Sequence, residues 1–184
     1  MKNTLNVLSV RVFGVIAILA IFIFSAATCS GQSFKSVEEL KAFLDKQPDN
    51  SPDKPIKISM EANELMFPKI MDVLNSAGKY VSLNLSGNTL TTIPDCTYYD
   101  EDNEKGCEML VSVTIPNSVI SIGEGAFGGC TRLSAINVDP SNNAYSSLNG
   151  VLYNKNKTVL IHYPVEKTGS TFTIPNIKEL ALFT

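Results

Sequence analysis

Apolar positions recur through the middle of the chain in a register of 23 residues. Aligning GCEMLVSVTIP, from Gly106, with GCTRLSAINVDP, from Gly129, places Cys107 on Cys130, Leu110 on Leu133, Val113 on Ile136 and Ile115 on Val138. Around Thr114 and Asn137 apolar and polar residues alternate, the period-2 pattern of a strand with one buried face. Two more stretches join the series once extra length is allowed. LNLSGNTLTTIP (83–94) puts Leu83 and Leu85 inward, with Asn88 placed to bridge the turn that follows, and TFTIP (171–175) repeats SVTIP. The extra length falls in the acidic stretch DCTYYDEDNEKGC (95–107) and in YSSLNGVLYNKNKTVLIHYP (145–164). The second insertion holds two apolar runs joined at residues 154–157, which predicts a hairpin projecting from the stack.

Upstream the pattern changes from period 2 to period 3.6. Ser36, Val37, Glu38 and Glu39 form a capping box that opens SVEELKAFLDK, and PDNSPDKP breaks the chain after it. IKISM (56–60) alternates like a strand with Ile56, Ile58 and Met60 on one face. NELMFPKIMDVLNSAG is helical in period through Leu65, Ile70, Val73 and Leu74; Pro68 requires a late start near Phe67, and Gly78 is a stop. Residues 34–79 therefore read as a capping unit whose helices cover the first edge of a sheet, with repeats over 80–184.

Before all this, Lys2 and Arg11 precede an apolar run over 12–24 and the small residues SAAT, so residues 1–28 read as an export signal. The run is shorter than the roughly 20 residues that span a bilayer. Ala26, Ala27, Thr28 and Cys29 resemble the lipobox of bacterial lipoproteins. That resemblance implies cleavage before Cys29 and acylation of its thiol, which anchors residues 29–79 and all that follows to a membrane; cleavage by the ordinary signal peptidase is the alternative.

A spacing of 23 lies within the 20 to 29 residues of leucine-rich repeats, each giving one short strand to a parallel sheet. VTIPNSVISIGEGAFGGCTRLSAINV (113–138) resembles the BspA-type leucine-rich repeat, TIP-x-x-V-x-x-I-G-x-x-A-F-x-x-C-x-x-L. Ile115, Pro116, Val119, Ile122, Gly123, Ala126, Phe127, Cys130 and Leu133 fill its places. The stretch at 137–164 is similar to a longer variant found beside such repeats, and the resemblance covers residues 80–184. The expected fold is an α/β solenoid with short parallel strands, an irregular convex side, a helical N-terminal cap and a β-hairpin inserted at about 145–164. What the resemblance implies about function is a cell-envelope lipoprotein, without enzymatic activity, that adheres to host or bacterial surface proteins.

GEGAFG (123–128) satisfies a nucleotide-binding pattern, but only seven residues separate Gly128 from Ile136, too few for the helix that pattern requires. The repeat makes these glycines corners, with Phe127 and Cys130 pointing inward. A net charge of -3 and a pI near 5.2 give no attraction to nucleic acid. Cys107 and Cys130 should stack as buried thiols about one strand spacing apart; a disulfide between them, or between Cys96 and Cys107, is the other state that their places allow. Asp100, Glu101, Asp102, Asn103 and Glu104 lack the glycine turn of a calcium loop and read as solvated. His162, the one histidine, is expected to point outward from the hairpin. No acid, base and nucleophile set assembles, so neither an enzyme, a metal nor a cofactor is expected.

Binding is then left to surfaces. Asn84, Thr114, Asn137 and Thr173 should line up on the exposed face of the sheet, flanked by Ser82, Ser112 and Thr171. Tyr98, Tyr99, Tyr145 and Tyr153, in the insertions, are candidate anchors for a partner, with local packing as the competing role. After Pro175, NIKELALFT leaves Leu180, Leu182 and Phe183 without a following repeat. The tail is expected to fold back as a cap, to be covered by another chain through self-association, or to mark a shortened or purely structural envelope protein without a specific ligand.

Overall fold

A computed structural model describes residues 31–96, 98–100, 103–169 and 179–180, with side chains over 31–96 and 106–169. Its elements run β1 (Gln32–Phe34), α1 (Val37–Leu44), β2 (Ile56–Met60), α2 (Phe67–Ala77), β3 (Val81–Asn84), β4 (Thr92–Ile93), β5 (Tyr98–Asp100), β6 (Asn103–Lys105), β7 (Leu110–Ile115) and β8 (Ser121–Ile122). Then follow β9 (Ala135–Val138), β10 (Tyr145–Leu148), β11 (Val151–Asn154), β12 (Val159–His162) and β13 (Glu179–Leu180). The export signal at 1–28, Cys29, Thr171, Thr173 and the tail at 181–184 lie outside the described residues.

Five strands pair in parallel in the order β1-β2-β3-β7-β9. One inner row crosses four of them, with Ile58 opposite Leu83, Leu83 opposite Val113 and Val113 opposite Ile136. All four side chains are buried. The spacing of 23 between Val113 and Ile136 and of 30 between Leu83 and Val113 is thus the strand register itself. The segment expected to cap the sheet extends it instead: β1 and β2 are its first two strands, joined to the next through α1 and α2.

The two helices form for local reasons. Ser36 Oγ accepts the Glu39 N–H at 3.1 Å, and the Glu39 carboxylate accepts the Lys35 N–H at 3.1 Å, so the first turn of α1 is closed by side chains. Leu40 and Leu44, four residues apart, share its buried face. α2 begins at Phe67 with Pro68 in its first turn, where a missing N–H costs nothing, and ends at Gly78 in the left-handed conformation. Its Phe67, Ile70, Met71 and Leu74 join the strands' inner residues in one continuous core.

Beyond β3 the helices give way to turns. The short strands β4 and β8 pair in parallel, Thr92 opposite Ser121 and Ile93 opposite Ile122. GEGAFG forms turns here, and the next regular element is β9, so no helix follows it. A Cβ on Gly123 would lie 2.6 Å from the Asp95 backbone nitrogen: the glycine lets one unit touch the one before. Ala126, Phe127, Cys130 and Leu133 fill the core behind the corner.

The insertion at 145–164 departs from expectation twice. It has three antiparallel strands, not two, because β10 and β11 are joined by a two-residue turn at Asn149 and Gly150, both with positive φ. Nor does it project from the stack. The N–H groups of Ile136 and Val138, turned away from β7, donate to Gly150 O at 2.8 Å and Ser147 Oγ at 3.0 Å, and Glu166 N–H donates to Leu133 O at 2.9 Å. The meander therefore covers the outer edge of β9, an edge whose open donors would otherwise recruit another strand. β13 pairs in parallel with β12 on the meander's far side.

His162 does not point outward. Its ring meets the edge of Phe127 with centroids 5.7 Å apart, and burial pushes its pKa below the ordinary histidine value, so the imidazole is neutral at pH 7. A neutral ring edge-on to an aromatic is how an apolar core accommodates a histidine.

Candidate binding surface

The outer face of the sheet is built by the residues between the buried ones. Two rows run across the strands: Lys57, Ser82, Ser112 and Ala135, then Ser59, Asn84, Thr114 and Asn137, each opposite the next. At about 4.8 Å per strand, each row spans about 14 Å. Lys57, Ser59, Ser82, Asn84, Ser112 and Thr114 line a shallow depression of about 270 Å³ on this face.

Its hydrogen bonds fix what it offers. Ser112 Oγ and Ser82 Oγ bond at 2.9 Å, which uses one of their two hydroxyl hydrogens. Asn84 Oδ1 accepts the Ser86 N–H at 2.8 Å, so its carbonyl is engaged in a local turn. Across the two rows there is one cation, Lys57, and no acidic residue.

The strip is held in line by a second set of side chains in the turns after the strands. Asn88 Nδ2 donates to Leu85 O at 2.8 Å and to Met60 O at 2.6 Å, while its Oδ1 accepts the Ala62 N–H at 2.9 Å. The one Ser118 hydroxyl hydrogen is shared between Asn88 O and Leu90 O, which lie 2.8 and 2.7 Å from Oγ. Asn142, fully buried, donates to Pro116 O and Val119 O, both at 2.8 Å, and accepts from the Ala144 and Tyr145 N–H groups. Asn88 and Asn142 thus satisfy the backbone of their own turn and of the unit before it, and Ser118 that of the unit before it. Glu64 does similar work on the neighbouring loop, where bonds from its own backbone and from Thr91 hold its carboxyl below the usual range.

The structure brings Asn84, Thr114 and Asn137 together as the register predicts. Sequence reasoning missed Lys57 and Ser59, although the alternation in IKISM already put them on the face opposite Ile58; assigning that segment to a cap hid the match. Ser118 and Asn142 were missed too, since single polar residues in turns carry no periodic signal.

The tyrosines separate. Tyr153 is fully buried in β11, so it offers no face to a partner, and its hydroxyl meets no hydrogen-bond partner among the described residues. Tyr145 is half-buried against the core; burial raises its pKa, opposed by a hydrogen bond with the Ile122 backbone. Tyr98 and Tyr99 pair with Lys105 and Glu104 in the β5–β6 hairpin, where side chains are not described.

Cys96 and Cys107 are in no disulfide. Burial pushes the Cys96 and Cys107 thiols up to about 12, and the nearby Cys130 adds to both shifts. Such groups act as small apolar side chains and not as nucleophiles. Among the described residues no three histidines, cysteines or carboxylates gather as a metal site, and no helix is long and apolar enough to cross a membrane.

No family model and no curated protein matches the chain. Three solved structures show likeness. A leucine-rich repeat protein from Eubacterium ventriosum is 23% identical over 67% of this chain and 37% of its own, with a TM-score of 0.44. The pneumococcal vaccine antigen PcpA is 17% identical over 73% of this chain and 44% of its own, with a TM-score of 0.36. A leucine-rich cell surface protein from Faecalibacterium prausnitzii is 20% identical over 65% of this chain and 33% of its own, with a TM-score of 0.35. The matched region spans less than half of each of those proteins, and the superpositions are too loose to carry an argument about this one.

Proposed function

We propose that the chain is a non-enzymatic leucine-rich repeat protein of the BspA-like type, a solenoid that displays the outer face of its sheet for binding proteins on host or bacterial surfaces. In this reading it is exported by residues 1–28 and held at the cell envelope, at the outer membrane or cell surface, through acylated Cys29. It works without a cofactor or metal. The observation that carries the reading is the continuous polar strip kept in register over four strands, from Lys57 and Ser59 to Asn137. A face so regular, backed by a dedicated set of turn-bridging side chains, is the form of a recognition surface in repeat proteins.

The test has two arms. A photocrosslinking residue at Thr114, irradiated in matrix or envelope extract, should capture discrete proteins that the same residue at exposed Glu38 does not; equal capture at both positions refutes the binding face. Metabolic palmitate labelling should vanish in Cys29→Ala, and label that persists in that variant refutes the anchor.

A further inference from the structure

The sheet has two edges, and they are finished differently. The meander covers the outer edge of β9, whereas β1 is the outermost strand at the other side. Phe34 O accepts the Glu61 N–H at 2.9 Å, and alternation along a parallel strand turns the N–H and C=O of Ser33 the other way. Among the described residues no strand meets them. Gln32 and Ser33 are exposed, and no carboxylate occurs from Cys29 to Val37, so nothing in that stretch repels an anionic headgroup. The register places Ser33 opposite Ser59, so Ser33 heads the row that continues through Asn84 and Thr114 to Asn137.

We infer that the open edge of β1 rests on the phospholipid headgroup layer of the membrane that holds the chain, so that the sheet stands on its first strand and the polar strip rises away from the bilayer. This seating rests on the acylation of Cys29 proposed above, and the length of the tether carries it. Gly31 already lies against β2, where a Cβ on it would come 2.8 Å from Lys57 O. The two residues from Cys29 to Gly31 reach at most about 7 Å, and a headgroup layer is about 5 to 7 Å deep, so β1 begins at the bilayer surface. At the strand-start end the loop after α1 is pinned to Tyr80, with Asn50 Nδ2 donating to Tyr80 O at 2.8 Å and Asn50 Oδ1 accepting the Tyr80 N–H at 3.0 Å. That loop stands between the starts of β2 and β3 and any flat surface, so a tether this short meets the bilayer along the edge of β1. The headgroup layer offers the Ser33 backbone polar partners but no strand to add, which finishes the edge without inviting aggregation. With strands about 4.8 Å apart, Asn84 then stands about 10 Å and Asn137 about 19 Å beyond β1.

The experiment reconstitutes the acylated chain in phosphatidylethanolamine and phosphatidylglycerol vesicles that carry a headgroup-nitroxide lipid, with one fluorescent amino acid at Ser33, Asn84 or Asn137, all of them exposed. Quenching should be strong at Ser33, weaker at Asn84 and lost at Asn137. Equal quenching at the three positions puts the strand ends against the bilayer and overturns the inference, as does absence of quenching at Ser33. A flexible insert of about ten Gly and Ser residues between Ser30 and Gly31 spans about 17 Å on average and should abolish the Ser33 signal. Unchanged quenching with the insert means that the tether does not set the seating, and overturns it too. Palmitate labelling of the same proteins reads the anchor separately: label without the gradient removes the seating alone, whereas absence of label removes the anchor and the seating with it.

Discussion

At the scale of single residues, the buried polar groups set the sharpest expectations. Asn142 makes four hydrogen bonds from a fully buried position. Asn142→Ala removes the side-chain partner of the Val119 carbonyl and of the Ala144 and Tyr145 N–H groups, and leaves the Pro116 carbonyl only the Val119 N–H at 3.4 Å; each buried group left unpaired costs about 1 to 3 kcal/mol before any relaxation. The variant should therefore lose about 3 kcal/mol or more in urea unfolding, well beyond an exposed Asn137→Ala control. His162 sets a different expectation. Its pKa is lowered in the folded state from 6.5, so the unfolded chain binds more protons in the window just below that value. The stability it contributes is complete above pH 6.5 and is lost as pH falls through the folded pKa. The melting midpoint should drop between pH 7 and pH 5, and His162→Phe should flatten that part of the curve. Asp49, held low by its hydrogen bond and charge pairing with Lys79, and Glu64 keep their charge further into acid and do not produce this step.

At the scale of elements, the meander over β9 is the part whose removal reads out most directly. Asn149 and Gly150 both take positive φ, where alanine is strained by about 1 kcal/mol each. Replacing both with alanine should open the turn and leave the Ile136 and Val138 N–H groups without Gly150 O and Ser147 Oγ. Amide exchange at these two positions should then accelerate by at least about tenfold, while Leu83 and Val113 stay protected. Asn149-Gly150 is also where the sequence was most legible and least used. An Asn-Gly pair between SSL and VLY is a strong short-range hairpin signal, yet the two apolar runs further on drew the hairpin to residues 154–157. The strands β3, β7 and β9 were legible because inward residues repeat at a fixed offset. β1 was not: three residues, QSF, are too few to show a period, and parallel pairing leaves no local signature in the sequence. His162 was misjudged for a related reason. Alternation assigns a face, but which face of the meander meets the core depends on how the meander docks, and only Phe127 settles that.

At the scale of the whole molecule, the sheet is a row of units each touching only its neighbours, an arrangement that can fray unit by unit. Two features oppose fraying here. The core is continuous from Leu40 in α1 to Leu152 in β11, and Asn88, Ser118 and Asn142 tie each turn to the preceding unit. The polar strip inherits that rigidity, since no partner has to order it on binding.

The crossovers between paired strands differ in length: 26 residues from Gln32 to Ile58, 25 to Leu83, 30 to Val113 and 23 to Ile136. The longest contains the β5–β6 hairpin, yet Ser82 still meets Ser112 across it at hydrogen-bonding distance. After a register shift between Val81 and Ser82, the extra chain leaves Ser82, Leu83 and Asn84 aligned with Ser112, Val113 and Thr114, which marks the β5–β6 hairpin as a grafting position. A foreign epitope of about ten residues placed there closes a longer loop at an entropic cost of about 1 to 2 kcal/mol. The protein would then serve as a display scaffold with its native face unaltered, carrying one sequence chosen by nature and another chosen by the experimenter.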